Sequence, residues 1–385
     1  MAKYFILERK KETNRNSLRP ASADNETIET RVLDLDDKSA VEVSRDQKTM
    51  AMARSMPIRL IGPTSTQGEK NGQGNWGVAA VKADTSPFTG DGVIMAVLDT
   101  GIDSKHKAFA GVDINERDFT GEGNGDNDGH GTHCAGVIFG RDCPDRIGVA
   151  RGVSKAFVGK VIGNNGGDSS EQLFNALTWA MESKAHIISM SLGFDFPGMV
   201  DGYRSDGWPD DIAVSKVLNI YRNNLRMFDS ILNMFRSRGA FGTSPLIVAA
   251  AGNESRRAIN AEYKVGASLP AAADGVVSVA AIGQDGSSYS VADFSNSDAT
   301  LCAPGVRITS ALSGGGYETH SGTSMACPHV AGVAALWWEK LRKQGLNPTA
   351  DVVRSHLLSN VRRDMFGSAF DVNDFGQGLV TAPLE

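Results

Sequence analysis

The run Val93-Ile94-Met95-Ala96-Val97-Leu98-Asp99-Thr100-Gly101 is continuously apolar until it stops at a carboxylate and a glycine. A strand with one wet face alternates polar and apolar residues, so an unbroken run over 93–98 predicts a strand covered on both faces. Runs at 156–162, 187–190, 246–250 and 276–279 read the same way, and helical patterns lie between them. This alternation predicts an α/β fold from Trp76 onward, with a parallel central sheet flanked by helices.

Upstream of that body, residues 1–65 read as a small α+β module. It has strand-like runs at 4–7 and 30–35, a helix over 38–53 and a short strand at 58–61. The Gly-, Ser- and Thr-rich stretch 66–75 reads as a linker, and the body spans 76–385. Within the body, 194–244 forms a helical insertion. Its 211–238 portion carries Ile212, Val217, Leu218, Tyr221, Leu225, Phe228, Leu232 and Phe235 at helical spacing, with a break expected near Asn223-Asn224. Packing on the body is the expected role of this helix, and its exposed face is where a protein partner would dock.

Composition narrows the function. The chain has 385 residues, is 41% hydrophobic and 22% charged, and carries a net charge of -6. Nucleic acid and anionic lipid both demand a basic footprint, so neither is expected as a partner. Met1 to Lys10 has too short an apolar run for a secretory h-region, and no stretch reaches the ~18 apolar residues of a membrane span. A cytoplasmic protein is expected. Cys134, Cys143, Cys302 and Cys327 lack CxxC pairing and read as free thiols.

Three segments carry chemistry. Asp99 lies at the carboxyl end of a buried strand, where open α/β sheets hold their sites, although Asp before Gly at a strand end is ordinarily a turn. Asp128-Gly129-His130-Gly131-Thr132-His133-Cys134-Ala135-Gly136 sets a histidine between glycines. His130, His133 and Cys134 are potential metal ligands, but the run lacks HExxH geometry, and no metal is expected. Ser321-Gly322-Thr323-Ser324-Met325-Ala326-Cys327-Pro328-His329-Val330-Ala331-Gly332 puts Ser324 at a helix start, where backbone N–H groups favour an oxyanion and where a serine is otherwise a simple cap. A serine hydroxyl needs a base, and the base needs a carboxylate to fix its tautomer. The chain order Asp, His, Ser is one of the known orders for such a triad.

These three blocks resemble the signature blocks of the subtilisin family, and the cysteine after His133 is similar to its proteinase K and thiol-containing branches. The resemblance covers Trp76 to the C-terminus and implies a three-layer subtilisin-like fold and a serine endopeptidase that forms an acyl-enzyme at Ser324, with His130 as base and acid and Asp99 orienting it. It further implies Asn253, in Ala249-Ala250-Ala251-Gly252-Asn253, as oxyanion donor. Ser191, Leu192 and Gly193 are implied as the strand that pairs with substrate, Gly166 as part of the opposing edge, and Ala251, Gly252 and Gly266 as the pocket lining.

Protein or peptide substrates follow, with no cofactor needed for the chemistry. Family calcium sites do not carry over residue by residue, and the acidic loop Glu122 to Asp128 is the one hint of structural calcium. The N-terminal module resembles a shortened family propeptide, which makes it an inhibitor by expectation. The rival reading is a catalytically silent subtilisin-fold protein that binds or regulates peptides.

Overall fold

A computed structural model describes residues 1–11, 26–67, 75–143, 145–239, 244–286 and 288–385. The module begins with β1 (Ala2–Lys11), β2 (Glu26–Leu35), α1 (Asp37–Ser44) and β3 (Thr49–Arg54), the strands forming an antiparallel sheet in the order β2-β1-β3. The expected helix over 38–53 is thus corrected to eight residues. Asp36 caps its start by accepting from Ser39 N at 2.8 Å, and Thr49 to Arg54 peels away to pair with β1. Strand pairing overrides helical propensity there.

The chain continues through β4 (Ile58–Leu60) and β5 (Ser65–Gln67), both of which pair with the body, so the 66–75 linker begins inside a strand. Residues 68–74 of that linker lie outside the described residues. The body opens with α2 (Trp76–Ala80), β6 (Ile94–Asp99), β7 (Asp113–Asp118), α3 (His130–Phe139) and β8 (Lys155–Lys160). It goes on through α4 (Ser170–Glu182), β9 (Ile187–Met190), β10 (Leu192–Phe194), α5 (Phe196–Ser205), α6 (Asp210–Gly239) and β11 (Leu246–Ala250). It ends with β12 (Val277–Asp285), β13 (Ser288–Val291), β14 (Leu301–Pro304), β15 (Ile308–Ala311), β16 (Tyr317–Ser321), α7 (Thr323–Lys343), α8 (Ala350–Ser359) and α9 (Val372–Phe375).

The central sheet runs β13-β12-β11-β9-β6-β8-β7 with β14 also on β12, and it is parallel except for β13. Its strands feed two apolar clusters on opposite faces. Met95, Val97, Ile187, Val248 and Ala250 face α3 and α7, whereas Ala96, Leu98, Ile188, Ile247 and Ala249 face α4 and α6. Period-two alternation is present, but both halves are buried, which is why the sequence reads as solid apolar runs.

From β6 the chain proceeds to β7 and β8 on one side and later to β9 and β11 on the other. Asp99, the last residue of β6, therefore stands at the switch point where such sheets form a crevice.

The insertion helix α6 is continuous. The expected break at Asn223-Asn224 is absent because the buried Asn224 amide spans two carbonyls, donating to Ile220 O four residues back and to Arg54 O of the module, both at 2.9 Å. On this face the module and body share one apolar cluster. Phe5 lies 5.1 Å from Phe174, which lies 5.0 Å from Phe228 of α6. The helix thus packs on its own chain, as expected.

Candidate active site

Two glycines let the histidine helix approach β6. Gly129 precedes α3 with φ of 98°, open to a residue without Cβ, and a Cβ on Gly131 would lie 2.2 Å from the Gly101 carbonyl oxygen. His130 Nδ1 is therefore 2.7 Å from Asp99 Oδ1, both side chains being about 1% exposed. Thr100 N donates to the same carboxylate oxygen at 2.8 Å. Burial works against a charged imidazole, but the Asp99 carboxylate prevails and holds the His130 pKa well above the ordinary histidine value.

Ser324 is the second residue of α7, and its hydroxyl donates to the carbonyl of Ile61. Pro328 sits inside α7 and cannot donate an N–H to Ser324 O four residues back. That carbonyl is instead taken by Ser191 Oγ at 3.2 Å and Cys134 Sγ at 3.4 Å. The proline therefore removes the helix bond at the Ser324 carbonyl, and two neighbouring side chains replace it.

Asn253 is held in one orientation. Its Oδ1 accepts from Thr323 N and Thr323 Oγ1, each at 2.9 Å, and its Nδ2 donates to Gly62 O at 2.9 Å. Thr323, which the sequence reading left without a role, is the residue that aims this amide. Its position directly before Ser324 was the available signal.

The second histidine of the motif has different partners from the first. His133 Nε2 reaches the Ile308 and Glu318 carbonyls at 3.1 Å, and burial, with His320 and His130 nearby, pushes its pKa well below the usual value. Donor atoms of Asp99, His130 and Cys134 do lie within 4.8 Å of one another. Burial raises the Cys134 thiol pKa, so it stays protonated. The acidic loop is likewise engaged within the protein. Glu122 accepts from Asn164 N, Asn165 N and Lys160, and Asp126 from Thr100, Gly129 and Thr132. Among the described residues, these carboxylates do not belong to a group of three acidic, histidine or cysteine ligand atoms within 4.8 Å of one another.

A family model described as the subtilase family matches residues 90–378. The chain belongs to the subtilase family. It is 31% identical over 315 residues to the subtilisin-like serine protease Pen c 1 of Penicillium citrinum, covering 78% of this chain and 67% of that protein. It is also 31% identical over 314 residues to the major intracellular serine protease of Bacillus subtilis, covering 76% and 86%. To the M-protease of Shouchella clausii it is 30% identical over 352 residues, covering 88% and 72%. The protein is a serine endopeptidase of this family, which needs no cofactor for its chemistry, and its substrates are proteins or peptides. None of its described helices is long and apolar enough to cross a membrane.

The chain's own segment 56–67 runs past Ser324, against β10 on one side. β4 pairs antiparallel with β10, matching Leu60 to Leu192, Arg59 to Gly193 and Ile58 to Phe194, and Ile61 N donates to Ser191 O at 3.3 Å. On the other side Ile58 N donates to Asp168 O at 3.2 Å, and Ser170 N to Met56 O at 2.9 Å. Ser191, Leu192 and Gly193 thus line one edge of a bound strand. The opposing edge is made by Asp168 and Ser170, with Gly166 at an exposed turn beyond them. The Ile61 side chain is buried in the cluster that holds Ala250 and Ala251, beside Gly193. Gly252 contributes its N–H to Thr323 Oγ1 at 3.2 Å, and Gly266 O accepts from Asn296 at 3.3 Å.

Proposed function

We propose that the subtilase chemistry of this chain runs through Asp99, His130 and Ser324. In this reading His130 takes the Ser324 proton through Nε2 while Asp99 holds its Nδ1–H. Asn253 Nδ2 and the Ser324 backbone N–H then receive the negative oxygen of the tetrahedral intermediate. The 2.7 Å contact between His130 and Asp99 and the threonine-fixed Asn253 amide support these roles.

The same reading makes residues 1–65 an intramolecular inhibitor of the 76–385 body. One observation carries it. The strand register sets Ile61 as the residue whose carbonyl faces Ser324, yet the amide of Asn253 is occupied by the next carbonyl, Gly62. The Ile61–Gly62 bond lies at the nucleophile with its own oxygen outside the oxyanion donor. That arrangement blocks the cleft and slows cleavage, because stabilisation must fall on the reacting oxygen. A cytoplasmic working place is supported by the four free thiols and by the relative named as intracellular.

Intact mass and labelling by a fluorophosphonate test the reading together. Wild type is expected to label at Ser324 and to convert slowly to a species cut after Ile61, and Ser324→Ala to do neither. Full activity from a chain that stays intact would remove the inhibitor role, and labelling that survives Ser324→Ala would remove the triad.

A further inference from the structure

We propose that Glu254 and Asp195 form an acidic subsite that selects a cationic side chain at the third residue before the cleaved bond. The proposal rests on the catalytic reading above for its register. Ile61 faces the nucleophile, so Leu60, Arg59 and Ile58 occupy the second, third and fourth positions before the bond.

Ile58 is buried and Leu60 half-buried, so apolar walls receive them. Arg59 meets acids. Its Nη2 lies 2.8 Å from Glu254 Oε1 and its Nη1 lies 3.6 Å from Asp195 Oδ1. Both carboxylates are fixed independently of Arg59. Asn296 Nδ2 donates to Glu254 Oε2 at 2.7 Å, and Asn296 Oδ1 accepts from Glu254 N at 3.0 Å. Asp195 caps α5, accepting from Gly198 N at 3.1 Å, and its own N donates to Pro57 O of the bound segment at 2.9 Å.

The two acids come from different places in the chain. Glu254 follows the oxyanion asparagine, and Asp195 opens the insertion at 194–244. The insertion thereby takes part in choosing substrate. A peptide supplied from outside occupies the same strand register and presents its third side chain to the same pair, which sits at the rim where charge selects partners without being deeply buried.

The test uses the purified full-length protein and quenched peptides of sequence Ile-Xaa-Leu-Ile-Gly with Xaa as Arg, Gln or Glu. Competition from the chain's own segment lowers all three rates alike and leaves their ratios intact. Wild type is expected to favour Arg over Gln by about fivefold and Arg over Glu by about tenfold or more, the size that partly exposed ion pairs give. The ranking should shrink in 1 M salt. It should vanish in the Glu254→Gln/Asp195→Asn double variant, in which asparagine still caps α5. Equal rates in wild type, or a ranking that survives the double variant, overturns the proposal. A double variant slowed equally on all three peptides also overturns it, since Glu254 would then only be supporting Asn253. Hydrolysis that persists in Ser324→Ala would strike the triad instead and leave the ranking to be read by itself.

Discussion

The N-terminal module and the catalytic body solve the problem of a core in opposite ways. The body encloses its sheet between helices, and Val97 and Leu98 are both inside, on opposite faces. The module has a single three-stranded sheet, from which Phe5, Leu7 and Ala53 join the cluster on the body, as does Met56 just beyond β3; Ile6 and Ala40 are buried outside that cluster, and Val32, Val41 and Met50 are exposed. A domain this small buries too little surface to be robust alone. The difference teaches that the module draws most of its core from the surface it covers, which predicts that its folding depends on its docking.

Phe5→Ala is the sharpest way to break that comparison. Removing a ring packed at a tilt against Phe174 should cost about 3–5 kcal/mol. If the module's core is borrowed, the loss falls on docking, and the full chain should become more active on a small peptide while the body's main melting transition stays put. Equal destabilisation of the body would show that the shared cluster is one core and not a loan.

Asn253→Ala touches both regions. It should lower kcat by about 10²–10³ with KM nearly unchanged, the range for a lost oxyanion donor. It also removes the hold on Gly62, so the residual activity should show weaker self-inhibition than wild type. A change confined to KM would take Asn253 out of the oxyanion site.

The body alone carries the third test. Burial lowers the pKa of His329 to about 4, and its Nε2 lies 3.0 Å from Asn75 Nδ2 while Nδ1 lies 2.7 Å from Met325 O. With Nδ1 donating, Nε2 must accept, so the ring is neutral. A histidine whose folded pKa is depressed binds fewer protons folded than unfolded, so stability falls as pH drops from about 6.5 to about 4. His130, with its raised pKa, acts in the opposite sense, its contribution fading as pH rises through its folded value. His329→Gln should therefore flatten the acid limb of the melting curve by up to about 3 kcal/mol. An unchanged limb would assign it to other groups.

Legibility in the sequence followed the chemistry. Asp99, His130, Asn253 and Ser324 stood out in the sequence because the roles proposed for them, orienting carboxylate, base, oxyanion donor and nucleophile, each demand a residue type in a local setting. The inward strands could be read because two buried faces leave only apolar residues. β7, Asp-Ile-Asn-Glu-Arg-Asp, was missed, since an edge strand alternating exposed and half-buried positions resembles a loop. The helix assigned to 38–53 ran too long because Thr49 to Arg54 fits either period until β1 pairs with it. The contacts of Ile61, Gly62 and Arg59 with residues some 130 to 260 positions away were beyond reach, because local sequence says nothing about where a loop comes to rest.

The segment through the cleft is anchored on both sides of Ile61–Gly62, by β4 on β10 before it and by Thr64 and β5 on β16 after it. Opening that bond would leave an ester on Ser324 and a free Gly62 amine that stays tethered within reach. A tethered amine has an effective concentration far above any amine arriving from solution. Resynthesis then competes with water, and the nick becomes a reversible equilibrium. The clock for activation is in that case set by how fast the module dissociates, and a chain can be cut many times before it is once released.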